Sequence, residues 1–152
     1  MNIADALREN YLFRDLSESQ QDNVIQIAET RTFDGGDVMV RQFDKDCDLF
    51  IVLAGGARIK SFSGETLAEV GPGSVVGEVS LVDDQPRSAT VVAVGPTSVA
   101  ILPSGPLNEL MSRDAQLKAQ FVANIARVLC QRLRLANIQL DAALAKSHPV
   151  RV

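Results

Sequence analysis

Two side chains of opposite charge, Glu78 and Arg87, lie nine residues apart in a segment with the features of an anion-binding loop. Gly77 comes just before Glu78, and a glycine at such a place lets a ligand approach the backbone closely. The segment from Glu78 to Val82 is long enough for one helical turn, whose first N–H groups lack intrahelical partners and attract anions. Arg87 adds a planar cation suited to phosphate. These residue types predict a site for one small anion; a Glu78–Arg87 ion pair on a solvated loop is the alternative.

The charged pair belongs to a longer string of residues. That string contains, in order, Gly77-Glu78, Leu81, Pro86-Arg87-Ser88-Ala89 and Thr90-Val91. It resembles the phosphate-binding cassette of cyclic-nucleotide-binding domains, and the resemblance implies a β-roll in which the cassette is the one helical interruption. One departure is Val76, because the family commonly has an aromatic residue at this place.

The resemblance implies a role for each residue of the cassette. Arg87 would neutralise one exocyclic oxygen of a cyclic phosphate, while N–H groups near Glu78, Val79 and Ala89 would bind the other. Glu78 would accept a hydrogen bond from the ribose 2′-hydroxyl group. Ser88 leaves the choice between adenine and guanine open, so the implied ligand is cyclic AMP or, less favoured, cyclic GMP.

Base contacts in this family often come from the C-terminal helix. Arg132 and Arg134 are the candidates here, because a planar guanidinium can stack on a purine. A solvated basic face, or an intersubunit ion pair with Asp141, is the alternative for each. The predicted ligand-binding residues are thus Gly77, Glu78, Val79, Ser80, Arg87, Ser88, Ala89 and Arg132.

The elements that must position the cassette follow from the hydrophobic pattern. Short β-rich runs lie at Arg31–Phe33, Val38–Phe43, Leu49–Leu53, Ala57–Phe62, Thr66–Val70, Ser88–Val94 and Ser98–Leu102. Such spacing without intervening helices indicates an antiparallel sandwich or barrel. We expect one α+β domain over residues 1–146, with a jelly-roll-like β-roll of about eight strands over residues 30–103. Helices over residues 1–29 precede it, including an N-cap at Ser17 with a capping-box partner at Gln20.

The C-terminal region over residues 107–146 has a helical pattern. A short segment covers Leu107–Ser112, one long helix covers Asp114–Lys146, and residues 147–152 form a tail. Apolar residues of the long helix form two stripes at heptad spacing: Phe121, Val128 and Leu135, and Val122, Leu129, Ala136 and Ala143, with Ile125 and Leu133 broadening the second. So wide an apolar arc needs covering on two sides. We expect one side to pack on the β-roll and the other to form a homodimer; folding back on its own domain is the alternative.

Composition narrows the function classes. A chain of 152 residues with 46% hydrophobic and 22% charged residues is typical of one soluble globular domain. No apolar run approaches the ~20 residues of a membrane span, and the N-terminus lacks a signal-peptide pattern. The net charge of −4 and the lack of a helix-turn-helix after the long helix argue against direct DNA binding. Cys47 and Cys130 form no metal or redox motif, and a single histidine, His148, cannot supply a metal ligand set.

We therefore expect a cytoplasmic cyclic-nucleotide sensor without a cofactor or metal, which moves its C-terminal helix to signal to an unidentified effector protein. A nucleotide-independent interaction module with a vestigial pocket is the alternative. An enzyme is not expected, because the sequence shows no nucleophile–base pair, and Glu78 with Arg87 makes a binding pair rather than an acid–base pair.

Overall fold

The computed structural model describes residues 2–147, which form five α-helices, one 3₁₀ helix and eight β-strands. In chain order these are α1 (Ile3–Glu9), the 3₁₀ helix (Tyr11–Phe13), α2 (Glu18–Ile27), β1 (Glu29–Phe33), β2 (Val38–Val40), β3 (Leu49–Ala54), β4 (Ala57–Lys60), β5 (Thr66–Val70), β6 (Val75–Val76), α3 (Glu78–Asp83), β7 (Thr90–Ala93), β8 (Thr97–Leu102), α4 (Ser104–Arg113) and α5 (Ala115–Ser147). The predicted α+β fold, with N-terminal helices, a short cassette helix and a long C-terminal helix, is confirmed. His148 and the tail beyond it lie outside the described residues.

The strands of residues 2–147 pair antiparallel in two four-stranded sheets. One sheet has the order β1-β8-β3-β6 and the other the order β2-β7-β4-β5. Mostly β-branched side chains fill the space between the sheets: Met39, Val40, Phe50, Val52, Ala57, Val76, Val91, Ala93, Val99 and Ile101. Branched side chains suit such a core because they pack closely on a pleated surface.

A second core joins the helices to the outer face of the first sheet. The first sheet contributes the buried residues Leu49, Ile51, Val75, Ala100 and Leu102. The helices other than α3, and the segment before α2, contribute Leu7, Leu12, Phe13, Leu16, Val24, Leu107, Met111, Leu117, Phe121 and Ile125. At its centre the buried amide of Asn124 donates hydrogen bonds of 2.9 Å to the carbonyl oxygens of Leu12 and Arg14. These bonds attach the first half of α5 firmly to the N-terminal helical region.

Helix ends follow the predicted capping chemistry. The Ser17 hydroxyl accepts a hydrogen bond from the Gln20 N–H, and the Gln20 side chain accepts one from the Ser17 N–H, so the predicted capping box is present. Helix α4 begins at Ser104 rather than at Leu107. Pro106 does not prevent this, because the first turn of a helix needs no N–H donor from it.

The predicted strand Val38–Phe43 ends at Val40 instead. Residues 41–44 turn away from the sheet, and the Phe43 N–H donates a hydrogen bond of 2.9 Å to the carbonyl oxygen of Arg87. Phe43 has φ +74°, a left-handed conformation incompatible with a strand. Contacts with the cassette therefore override the local β-propensity of this run.

The predicted strand Thr66–Val70 matches β5, and the other predicted strand boundaries differ from the observed ones by no more than two residues. The clearest omission is β6, which pairs with β3 through Phe50 and Ile51. This strand contains only Val75 and Val76, and two residues are too few for an alternating pattern to reveal. Val76 nevertheless fills an apolar position directly below the cassette.

Helix α5 extends well past the body of the domain. Leu117, Phe121 and Ile125 are buried, whereas every residue from Leu133 to Ser147 is exposed. Only the first half of α5 is therefore covered by the rest of the chain. Across residues 2–147, no helix combines the length and apolar character needed to cross a membrane.

Candidate functional site

The cassette helix α3 begins after a glycine in the left-handed conformation. Gly77 is its N-cap, with φ +93° and ψ +7°. A Cβ atom at this residue would collide with Nη1 of Arg87 and would lie 2.7 Å from the carbonyl oxygen of Asp48. Both the dihedral angle and the lack of space require glycine. The tight turn brings the first residues of α3 directly beside the guanidinium of Arg87.

The Arg87 guanidinium is buried and held by four hydrogen bonds. Its Nε and Nη2 donate to the two carboxylate oxygens of Asp46 over 3.3 and 2.8 Å. Its Nη1 donates to the carbonyl oxygen of Gly77 over 3.0 Å, and Nη2 also donates to that of Asp48 over 2.6 Å. The Phe50 ring centroid lies 5.9 Å from Cζ. The cation is thus fixed in place, and its partner is Asp46 rather than Glu78.

Glu78 is the second buried charge of the site, and its partner comes from the C-terminal helix. The side chain is 3% exposed, and one carboxylate oxygen accepts a hydrogen bond from Nη1 of Arg132. Nη2 of Arg132 donates to the carbonyl oxygen of Val75 over 2.9 Å. One guanidinium therefore joins α5 both to the first residue of α3 and to β6.

A cavity of about 120 Å³ lies between these charged groups and the β-roll core. All eight predicted ligand-binding residues line it: Gly77, Glu78, Val79, Ser80, Arg87, Ser88, Ala89 and Arg132. Val40, Ile59, Val76 and Val91 form its apolar wall. A mostly apolar cleft with a few convergent charged groups is the usual form of a small-molecule site.

Two further groups near the site have perturbed acidity. Burial raises the pKa of Tyr11 to about 12, while the positive charge of Arg132 acts in the opposite direction. The Tyr11 hydroxyl is buried and has no hydrogen-bond partner among the described residues. Burial also raises the pKa of the Cys47 thiol, and the neighbouring Asp84 carboxylate acts in the same direction. Both groups are therefore held in their neutral forms and are unsuited to nucleophilic chemistry.

Arg132 and Arg134, the two candidates for contact with the nucleotide base, have different positions in the structure. Arg132 lines the cavity, whereas Arg134 is exposed on another side of α5.

Within residues 2–147, no three His, Cys, Asp or Glu side chains are grouped where they could hold a metal ion. Cys47 and Cys130 are free thiols.

Sequence reasoning missed the carboxylate that neutralises Arg87. Asp46 lies between Asp44 and Asp48 in the segment that separates the predicted strands Val38–Phe43 and Leu49–Leu53. No local signal distinguishes Asp46 from Asp44. The apolar wall residues Val40 and Ile59 were placed in strands, but the pattern did not indicate that they face a ligand cavity.

Comparison with known proteins agrees with this geometry. The family model for the cyclic nucleotide-binding domain matches residues 30–114, more than half of the chain, which covers both sheets, α3 and α4. The chain therefore belongs to the cyclic nucleotide-binding domain family. This is a family of binding and regulatory domains rather than of catalytic ones.

Individual relatives include both regulators and separate domains. The chain is 34% identical over 134 residues to the cyclic AMP receptor protein of Thermus thermophilus, covering 86% of this chain and 60% of that protein. It is 32% identical over 99 residues to a cAMP-dependent protein kinase regulatory subunit of Debaryomyces hansenii, covering 65% of this chain and 22% of that protein. A cyclic nucleotide-binding domain structure from Methylobacillus flagellatus superposes with a TM-score of 0.79 at 25% identity, covering 99% of this chain and 85% of that one. The chain thus spans less than two thirds of the length of each of these curated relatives.

Proposed function

We propose that this chain is a cytoplasmic sensor of cyclic AMP, or less favourably of cyclic GMP, which signals by repositioning α5. The cyclic phosphate binds between Arg87 and the backbone N–H groups of Glu78, Val79 and Ala89. The ribose 2′-hydroxyl donates to Glu78, and the base lies against the apolar wall and Arg132. Ser80 and Ser88 complete the polar side of the pocket.

The observation that supports a sensor most directly is the contact between α5 and the buried Glu78. The predicted ribose acceptor is already bonded to Arg132, whose side chain also reaches the carbonyl oxygen of Val75. A ligand that approaches Glu78 must therefore share or replace this bond. The ligand shifts α5 to the extent that it binds the two helix positions with different affinity.

Calorimetry with cyclic AMP, cyclic GMP and 2′-deoxy cyclic AMP tests the binding step. We expect heat with the two ribonucleotides and a weaker response with the deoxy analogue, because Glu78 loses its donor. Arg87→Ala should weaken binding by about 1.5–3 kcal/mol, or roughly ten- to hundredfold, since it removes charge-assisted hydrogen bonds. No heat and no competition at hundreds of micromolar nucleotide would exclude this function.

Hydrogen exchange of α5 tests the signalling step. Arg132→Ala should speed exchange at amides beyond Ile125 by at least about tenfold without ligand, because it removes the bond that holds this part of the helix. Arg134→Ala is the matched control, since it removes the same charge from the same helix without breaking a cavity contact. Equal exchange in the two variants would show that Arg132 does not couple the cavity to α5.

The same proposal includes a homodimer formed through α5 and an effector protein that recognises the helix position. Exposed apolar residues continue along α5 at heptad spacing after the chain's own core ends: Leu133, Ala136, Leu140 and Ala143. A helix with such a stripe is stabilised by a second helix packed along it. No DNA or membrane contact is proposed.

A nucleotide-independent interaction module is the second candidate, and one observation favours it. Arg87 and Glu78 are both already paired within the chain, and the cavity of about 120 Å³ is smaller than the roughly 300–1,000 Å³ of sites that enclose drug-sized ligands. A partner captured equally well with and without nucleotide, and by the Arg87→Glu variant, would support this alternative.

A further inference from the structure

We propose that the Asp46 carboxylate is a built-in competitor for the anion, so that ligand binding exchanges a carboxylate for a phosphate at Arg87. This inference rests on the proposed function and concerns the affinity of the same site. Asp46 lies in the loop between β2 and β3, 41 residues before Arg87 in the chain.

The hydrogen bonds of Arg87 show how little capacity remains for a ligand. A guanidinium has five N–H donors, and four of the hydrogen bonds available to them are already made. Two go to main-chain carbonyl oxygens, those of Gly77 and Asp48, which are part of the folded backbone. The other two form a parallel pair with Asp46, the geometry that a phosphate would also use.

Exposure shows which partner can leave. The side chain of Arg87 is 2% exposed and that of Asp46 is 47% exposed. A released Asp46 carboxylate would therefore regain water with little movement, whereas Arg87 would stay buried among Gly77, Asp48 and Phe50. Because Asp46 cancels the charge of Arg87, an incoming cyclic phosphate gains attraction only as the carboxylate leaves.

The loop itself does not depend on the Asp46 side chain for its position. The Phe43 N–H donates to the carbonyl oxygen of Arg87 over 2.9 Å, and the Arg87 N–H donates to that of Asp44 over 2.8 Å. These backbone bonds hold the loop beside the cassette on both sides of the arginine. A rotation of one side chain is thus enough to free two donors of Arg87.

Two charge-matched variants provide the test. Asp46→Asn and Asp44→Asn each remove one negative charge from the same loop, but only Asp46 contacts the guanidinium through its side chain. Calorimetry with cyclic AMP should give a dissociation constant about tenfold lower for Asp46→Asn than for the unmodified chain, the size expected for charge-assisted hydrogen bonds. Asp44→Asn should change it by no more than about twofold, in line with an exposed charge. An unchanged or higher dissociation constant for Asp46→Asn would overturn the proposal.

A second probe separates this proposal from the function on which it rests. Inorganic phosphate, titrated while the NMR signal of the Arg87 Nε–H group is followed, should shift that signal at lower concentration in Asp46→Asn than in Asp44→Asn. If the unmodified chain binds no cyclic nucleotide, the proposed function fails, yet a gain of phosphate binding in Asp46→Asn still supports the competitor role. No gain in either assay would refute it.

Folding controls complete the design. Circular dichroism and thermal melting establish that Asp46→Asn is folded, and Asp46→Ser replaces it if the asparagine variant is not. Both variants should remain folded, with a lower melting temperature than the unmodified chain, because the backbone hydrogen bonds of Phe43 and Arg87 hold the loop in place.

Discussion

At the scale of single residues, the site contains two buried charges, and each is neutralised by a different element. Asp46 from the β2–β3 loop pairs with Arg87, and Arg132 from α5 pairs with Glu78. A buried charge without a partner is strongly unfavourable, so these pairs stabilise the site when it is empty. In the proposed function, the same pairs rearrange when a ligand supplies its own charge and hydroxyl groups.

Gly77 sets the distance between α3 and Arg87, and its replacement should separate dihedral strain from steric collision. Gly77→Ala should lower the free energy of unfolding by more than the ~1–2 kcal/mol expected for a left-handed alanine, because its Cβ would also strike Arg87 and approach the Asp48 carbonyl. It should also weaken nucleotide binding. Chemical denaturation and calorimetry measure the two effects.

Gly64→Ala is the matched control for this prediction. Gly64 has φ +86°, close to the +93° of Gly77, but a Cβ there meets no atom within 4 Å. The control should therefore show the dihedral strain alone and leave binding unchanged. Equal losses of stability in the two variants would mean that Arg87 and the Asp48 carbonyl move aside without cost.

At the scale of elements, α5 has two halves with different surroundings. Asn124, Phe121 and Ile125 attach its first half to the N-terminal helical region, whereas residues from Leu133 onward are exposed. Arg132 lies at the boundary between these halves. A change at Glu78 can therefore act on the free half while the attached half stays in place.

The start of α5 should contribute a pH-dependent part of stability. Asp114 accepts a hydrogen bond of 3.0 Å from the Leu117 N–H and one of 3.1 Å from the Gln20 side chain. These bonds, the first above all, hold the pKa of the Asp114 carboxyl below its usual value of 3.8. Because the folded-state pKa is the lower one, the stabilisation is present above about pH 4 and is lost as the pH falls through the folded-state value.

Asp114→Asn tests this assignment, because asparagine can still cap a helix but does not titrate. The unmodified chain should melt at a higher temperature than the variant at pH 7, and the difference should shrink as the pH falls below 4. Thermal melts by circular dichroism across this range measure the effect. A difference that stays constant with pH would show that the charge of Asp114 is unimportant.

At the scale of the whole molecule, the unpaired half of α5 determines the expected assembly. Leu140→Glu places a charge in the stripe that contains Leu133 and Ala136, so it should convert a dimer into a monomer. Leu135→Glu is the control, because Leu135 is equally exposed at 56% but lies on another side of the helix. Light scattering after gel filtration measures the molecular mass of the unmodified chain and of each variant. A monomeric unmodified chain, or equal disruption by both variants, would contradict the proposed dimer.

Local patterns were sufficient to predict much of the fold. The cassette string predicted α3 and seven of the residues that line the cavity, because their spacing along the chain already brings them close together. Arg132 was predicted from the position of base contacts in the family and not from this string. Alternation and heptad spacing predicted most strands and the extent of α5, since these periods follow from backbone geometry. The capping box at Ser17 is a local hydrogen-bond pattern and was predicted for the same reason.

Only the tertiary structure decided which charges meet in the site. Asp46 and Arg87 are 41 residues apart, and Glu78 and Arg132 are 54 residues apart, so closure of the β-roll and docking of α5 bring them together. Other long-range contacts end β2 at Val40, where the Phe43 N–H bonds to the Arg87 carbonyl oxygen, and create the two-residue strand β6 by pairing it with β3. The sequence by itself determined most of the elements and the polar residues that line the cavity. Their neutralising partners depend on contacts between distant segments, which no local period encodes.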